Sequence, residues 1–327
     1  MWRIGDNAEV QARPNLLSRY VENPKDAGCF PPDWSEIFSR KTALNVEVGF
    51  GGGEYLAWWA AREPQSDFVG IELPHHGIVK ACRALGGLEN KNVRLVRGDA
   101  RYLLRELFAP GTISKVMMQF PMPWPKEKHA KHRVSNSNFT ATLADILELG
   151  GQYELVTDQE WYAREAWAHF QSDAAFSPGP LEQDPERPFR TRYESKWLEQ
   201  GRSIFRFVAT LDTPRSAPRI ITSSKMHHTH IDNGISAAEI RALSGRRFSS
   251  RTSSAEIKEV LRGETSWLLK VVAADESFSQ FFGLRLVDRG EERWLLKVDD
   301  YPRPYPTPAV RFVIDQVAAT LAGVAVR

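Results

Sequence analysis

A mostly parallel α/β sheet of about seven strands with an antiparallel end, followed by a small α+β domain, is the architecture predicted for this chain. Three observations predict it. Strand-like and helix-like segments alternate from about Ala43 to Gln171. The strand-like segments are continuous apolar runs, the pattern expected when helices cover both faces of a sheet. Near Thr213 the alternation stops, and short helical and hairpin patterns replace it. A chain of 327 residues is also longer than one hydrophobic core usually supports. The predicted domains are therefore 1–212 and 213–327.

The elements follow in order. ALNVEVGF is a β-branched run that ends in glycines, and EYLAWWAAREP reads as a helix. DFVGIEL is a second buried strand, followed by the helical HGIVKACRAL. NVRLVRGD is a third strand before the helix ARYLLRELF, and ISKVMMQF a fourth before FTATLADILEL. QYELVTD is a fifth and leads into EWYAREAWAHF. RTRYESKWLEQG and SIFRFVATL are predicted as two further strands joined at Gln200-Gly201. Beyond the linker TPRSAPR, capping boxes at Ser236/Glu239 and Ser253/Glu256 predict two short helices. SWLLKVVA precedes the hairpin pattern FFGLRLVDRGEERWLLKVDD, YPRPYPTP is an extended connector, and AVRFVIDQVAATLAG an amphipathic helix.

Composition excludes several classes. No run of eighteen apolar residues is present, so no segment reads as a membrane span. The first residues, MWRIGDNAEVQARP, lack an apolar signal core, and the cytoplasm is the expected compartment. The two cysteines, Cys29 and Cys82, form no CxxC pair, so neither a disulfide framework nor a zinc site is expected. Net charge is only +2, but the part from Thr213 onward carries the positive surplus, so contact with a polyanion should be local.

The chemistry gathers at the strand ends. In VEVGFGGGEY, Gly49, Gly51 and Gly53 allow a ligand to approach the backbone closely. A dinucleotide fingerprint needs glycine where Glu54 stands. Glu47 before the loop would repel a pyrophosphate and suits a ligand carrying an ammonium group. S-adenosylmethionine is such a ligand. Glu72 ends the second strand, where a carboxylate accepts ribose hydroxyls. Asp99, followed by Ala100, ends the third. Taken singly, each acid is equally a helix cap; three at successive strand ends beside a glycine loop point to a cofactor site.

The fourth strand runs into PMPWPKEKHAKHR, which by position borders the same crevice. Trp124 offers a stacking face, and Lys126, Lys128, Lys131, His132 and Arg133 offer charge or donors to phosphates. As an isolated stretch it would be a solvated turn.

Together EVGFGGG, FVGIE, GDA, the PxPWxK loop, VTD and TRYE resemble the class I tRNA guanine-N7 methyltransferases, from about Asp33 to Leu211. The resemblance implies a Rossmann-like methyltransferase fold and a guanine in the tRNA variable loop as target. It implies Glu47, Glu72 and Asp99 for the donor. For the substrate it implies Lys126, Asp158 and the segment Thr191, Arg192, Tyr193 and Glu194, with Lys128 to Arg133 on the RNA backbone. The family loop usually reads PDPWHK, and its acid is generally assigned to catalysis. Here Met122 replaces that acid and Pro125 the histidine, which leaves Asp158 as the candidate acid at the guanine. Two other readings stand beside this one: an RNA-binding protein with a relic donor pocket, and a methyltransferase of another substrate. The HHTH cluster of His227, His228 and His230 has no recognisable metal-ligand partner set. Trp58, Trp59, Trp161 and Trp167 lie at helical spacing and are expected in the core, as is Cys82.

Overall fold

The computed structural model describes residues 16–86, 91–124, 133, 137–276 and 278–324. The chain divides into two compact units: Met1–Pro24 with Asp33–Ala217, and Lys25–Pro32 with Pro218–Arg327. The segment Lys25–Pro32 therefore leaves the first unit and returns to it, a path that the sequence does not announce.

The first unit opens with α1 (Leu16–Tyr20), β1 (Val21–Glu22) and, past the excursion, α2 (Trp34–Phe38). Asp33 caps α2 by accepting from the Ser35 and Glu36 amides. The alternating series follows: β2 (Leu44–Val48), α3 (Glu54–Arg62), β3 (Asp67–Glu72), α4 (His75–Gly86), β4 (Val93–Arg97), α5 (Ala100–Leu107), β5 (Ile113–Gln119), α6 (Ser137–Ile146), β6 (Leu147–Thr157) and α7 (Glu160–Ser172). The unit closes with β7 (Phe176–Pro178), β8 (Glu182–Gln183), α8 (Arg192–Glu199) and β9 (Phe205–Leu211).

Its sheet runs β1-β4-β3-β2-β5-β6-β9-β7, with β8 also paired to β9. β1 to β6 are parallel neighbours, and β9 lies antiparallel to β6. Nine strands stand where about seven were predicted: β1, β7 and β8 are additions of two or three residues, and one predicted strand is the helix α8. All five β2 residues are buried, as expected for a central strand covered on both faces. Strand order reverses at β2, which lies between β3 and β5. Ligands in open α/β sheets bind at such a switch point, outside the carboxyl ends of the strands.

One prediction fails here. RTRYESKWLEQG is not a strand; Arg192–Glu199 form α8. The Thr191 side chain accepts from the Glu194 amide and caps the helix, in which Glu194 is the buried residue and Trp197 and Leu198 are half-buried.

The second unit contains β10 (His228–Asp232), α9 (Ala237–Arg241), β11 (Arg247–Ser249), β12 (Ser253–Arg262), β13 (Ser266–Asp275), β14 (Phe278–Asp288), β15 (Arg293–Val298) and α10 (Pro308–Leu321). Its antiparallel sheet has the order β10-β15-β14-β13-β12-β11. Val310, Val313, Ile314 and Val317 of α10 share one core with Leu269, Val271, Phe282, Leu284 and Leu296 of the sheet. The Ser236/Glu239 capping box forms. The second one does not: Ser253 begins β12, where Ser253, Ala255 and Ile257 alternate inward, and pairing with β13 outweighs the local capping signal. Lys25–Pro32 joins this unit through Tyr305: Lys25 Nζ lies 4.7 Å from its ring centre, and Phe30 meets it edge-on at 5.8 Å.

Of the tryptophans expected in the core, Trp59 is buried, while Trp58 and Trp167 are half-buried. Trp161 is exposed and packs under Arg133 instead. Cys82 is buried. His228 and His230 are exposed on β10, and His227 pairs with Asp315 at 2.7 Å. Among the described residues no cluster of His, Cys, Asp and Glu has the arrangement of a metal site.

Candidate active site

The glycine loop begins where β2 ends. Gly49, Gly51 and Gly53 all adopt positive φ, at 73°, 56° and 75°, a region closed to most side chains. At Gly53 a Cβ would also come within 2.6 Å of the Ala81 Cβ, so close packing of the loop on α4 depends on the missing side chain. Beside Gly49 and Gly51 there is open space, so a ligand can reach their backbone.

Glu72, the last residue of β3, is held to this loop. The Gly51 amide donates to Glu72 Oε2 at 2.7 Å, and the Leu73 amide donates to Oε1 at 2.9 Å. A carboxylate has about four acceptor positions, so two oxygens fixed by backbone amides still present lone pairs to a ligand hydroxyl.

Glu47 is 2 % exposed. Burial pushes its carboxyl from 4.5 up to about 8, and the neighbouring Glu72 adds to the rise against the opposing Gln119 hydrogen bond and Arg187 charge. Gln119 Nε2 donates to Glu47 Oε1 at 3.4 Å, while Oε2 is buried with no hydrogen-bond partner. Buried polar atoms are rarely left so. The orphaned oxygen belongs to the strand that leads into the glycine loop.

Asp99 follows β4, on the expected edge of the sheet. Its side chain caps α5, accepting from the Arg101 amide, and pairs with the Arg101 guanidinium at 2.5 Å. It stands on the predicted edge with Ala100 behind it, but both oxygens already serve Arg101. The sequence offered this capping role as the alternative, and the geometry realises it.

The loop after β5 starts with strain. Phe120 and Trp124 both have φ 48°; left-handed bulky residues are uncommon and cost about 1–3 kcal/mol each. The Phe120 amide donates to the Val156 carbonyl at 2.7 Å, which ties the loop to the end of β6. Met122 is 66 % exposed. Lys126, Lys128, Lys131 and His132 lie outside the described residues. Arg133 is inside them and is no free cation: it is buried, bonds the Trp124 carbonyl at 3.2 Å and pairs with Glu165 at 3.0 Å. The basic run concealed one arginine that braces the loop from within.

Asp158 follows β6. Its Oδ2 accepts from Arg202 Nη1 at 2.7 Å and Gln159 Nε2 at 2.6 Å. Arg202 lies flat over Trp197 of α8, 3.9 Å from the ring centre. Thr191 serves as the cap of α8, Tyr193 is exposed, and Arg192 pairs with Glu54 of α3. Glu194 is instead buried against Arg187; burial raises its carboxyl, with Arg187 as the partial counterweight.

The structure thus brings Glu47, the glycines and Glu72 together, and connects α8 to them. Three features were not found from sequence: the Arg187 contacts, the Arg192–Glu54 pair, and the left-handed aromatics. Arg187 is one of three arginines in the stretch ERPFRTR, and no sequence signal singles it out.

Comparison with known proteins gives the family. The family model described as "Putative methyltransferase" matches residues 41–207. The tRNA (guanine-N(7)-)-methyltransferase of Thermotoga maritima is 38% identical over 308 residues, which cover 94% of this chain and 98% of that protein. The Listeria innocua protein of the same name is 31% identical over 59% of this chain and 90% of its own length. Among solved structures, an antibiotic-related methyltransferase covers 59% of this chain and 98% of its own at 18% identity and a TM-score of 0.44. Near-complete coverage of a relative at that identity settles the affiliation: the chain belongs to the tRNA (guanine-N(7)-)-methyltransferase family.

Proposed function

We propose that this chain transfers a methyl group from S-adenosylmethionine to N7 of a guanine in tRNA, the target being the guanine of the variable loop. The observation that carries the reading is the buried, partnerless Oε2 of Glu47 beside the open glycine loop, in a chain of this family. Glu47 would hold the donor ammonium, the backbone of Gly49 to Gly53 would line its path, and Glu72 would take its ribose hydroxyls. When bound, the donor supplies an electrophilic methyl carbon whose bond to sulfur breaks toward sulfur as the in-plane lone pair of N7 forms the new bond.

Guanine N7 carries no proton, so the chain needs no general base. Its task is alignment and stabilisation of the charge that develops on the base. Asp158, at the carboxyl end of β6, would face the guanine edge or its new positive charge, with Arg202 and Gln159 fixing its carboxylate. Thr191, Arg192 and Tyr193 on the leading turn of α8 would meet the nucleotide. Trp124, Lys126, Lys128, Lys131 and His132 would meet the RNA, while Arg133 shapes the loop that carries them. The second unit, with the positive surplus of the chain, would add contacts to the tRNA backbone.

Labelled methyl transfer to unmodified tRNA, followed by borohydride and aniline cleavage, tests the reading. Cleavage in the variable loop is expected. Donor and tRNA binding without transfer in the wild type, with transfer restored in Met122→Asp, would establish the relic pocket instead.

A further inference from the structure

Four side chains from four separate elements join at the centre of the first unit. Glu47 of β2 pairs in register with Met117 of β5, so Gln119, two residues further on, shares its face of the sheet. Gln119 Nε2 donates to Glu47 Oε1 at 3.4 Å, and Arg187 Nη2 donates to Gln119 Oε1 at 2.5 Å. Arg187 Nη1 pairs with Glu194 Oε2. Their exposures are 2%, 7%, 9% and 2% in that order. Arginine has only donors, so the amide oxygen of Gln119 must face Arg187 and its NH2 must face Glu47. The direction of the chain of bonds is thereby fixed.

We propose that Gln119 and Arg187 are positioning residues that tie the donor carboxylate Glu47 to the first turn of α8, so that donor binding and RNA binding strengthen each other. The inference rests on the proposed function. One end of the chain is the carboxylate with the partnerless oxygen; the other is the third residue of the helix whose first two residues, Arg192 and Tyr193, are exposed. A ligand cation at Glu47 Oε2 holds that carboxylate ionised. Hydrogen bonds to an ionised acceptor are roughly twice as strong as neutral ones. The Gln119 amide is then gripped more firmly and polarised, and it in turn fixes Arg187. Arg187 sets where Glu194 sits, and so the direction of the turn. Buried ion pairs of this kind contribute little stability compared with apolar packing, so fixing geometry is the better account of this one. The loop that carries Arg187 has few other ways to move: Phe189 stacks on Trp58 of α3 at 5.3 Å, and Arg192 pairs with Glu54 at the start of the same helix.

The test is a binding cycle with S-adenosylhomocysteine, the demethylated donor, and unmodified tRNA. In wild type each ligand should tighten the other by the same factor, as linkage requires, within the roughly 5–150-fold range usual for coupled sites. Gln119→Leu, which keeps the volume and removes the bridge, should bring that factor to about one; donor binding alone should weaken, because ionised Glu47 loses its amide donor, while tRNA alone binds within threefold of wild type (about 0.65 kcal/mol). Arg187→Lys keeps the charge but not the two-pronged reach, and should lose most of the factor as well. A wild-type factor of one, or full coupling in Gln119→Leu, overturns the proposal. Hydrogen exchange on wild type alone guards against a variant that does not fold: S-adenosylhomocysteine without RNA should protect the amides of Ser195 and Lys196, and unchanged exchange there also overturns it. Failure of methyl transfer in the wild type would instead strike the proposed function, so the two failures are told apart.

Discussion

Binding of the donor should expel a proton, and the source is Glu47. In the empty protein burial holds this carboxyl up at about 8, so it is protonated through neutral pH. A donor ammonium beside Oε2 favours the ionised form. At pH 6.5 about 0.97 of the sites carry the proton, and the donor amine, itself nearly all protonated there, takes up only about 0.05. The net release should be about 0.9 proton per donor. Calorimetry of S-adenosylhomocysteine binding at pH 6.5 in buffers of different ionisation enthalpy reads this number as a slope. The net release should fall to about zero near pH 8, where the donor amine takes up about as much proton as Glu47 gives, and the affinity should rise toward that pH. Sign and size for the empty protein follow from the same shift. A raised carboxyl contributes stability that is complete below pH 4.5 and disappears as pH rises through about 8. The full difference is roughly 5 kcal/mol as an upper limit. Glu47→Gln mimics the protonated acid, so it should fold at least as stably as wild type at pH 8 and lose both donor affinity and the buffer-dependent slope. A slope of zero in wild type, or an unchanged slope in Glu47→Gln, would refute the argument.

Glu72→Ala removes an acceptor fixed by two backbone amides, and donor affinity measured by calorimetry should weaken by about 1.5–3 kcal/mol. Met122→Ala should slow methyl transfer less than about tenfold, or about 1.4 kcal/mol in the barrier, because an exposed thioether touches no proton in this chemistry; Asp158→Asn should be far more damaging, and equal effects of the two would remove Asp158 from the guanine. Replacing Lys128 and Lys131 with Ala should weaken tRNA binding and flatten its dependence on salt, as filter binding across a salt series would show, with no change in donor affinity. Arg133→Ala should behave differently from those two lysines: losing the Glu165 pair and the Trp124 carbonyl bond should lower unfolding stability by about 1.5–3 kcal/mol, seen in a denaturant titration.

What the sequence made legible had a local physical cause. Buried parallel strands announce themselves as unbroken apolar runs, so β2 to β6 were readable one by one. The positions of Glu47 and Glu72 at the ends of buried strands were readable because those strands were. The failures share the opposite property. α8 is short and carries Tyr193, Trp197 and Leu198, residue types that do not by themselves separate a helix from a strand over eight residues, and it buries only Glu194. At Ser253 the spacing of serine and glutamate satisfied a capping rule, but inward alternation and the β13 ladder decided the outcome. Arg133 was hidden by its neighbours, since a row of cations gives no hint that one of them faces inward. Gln119 and Arg187 lie 68 positions apart, and only the fold brings the guanidinium to the amide.

The excursion of Lys25–Pro32 into the second unit changes what a deletion experiment can mean. The polypeptide passes between the units three times: near residue 24, near residue 32 and near residue 217. A stop codon at the last passage would discard Tyr305 and Arg303 and leave behind Lys25, Asp26 and Phe30, the residues that pack against them. The shortened product would carry an orphaned, partly aromatic loop between α1 and α2, and a fall in its activity or solubility would report on that loop as much as on the missing sheet. A clean excision needs two edits: removal of everything past Ala217, and replacement of Lys25–Pro32 by a short polar turn that reconnects Pro24 to Asp33.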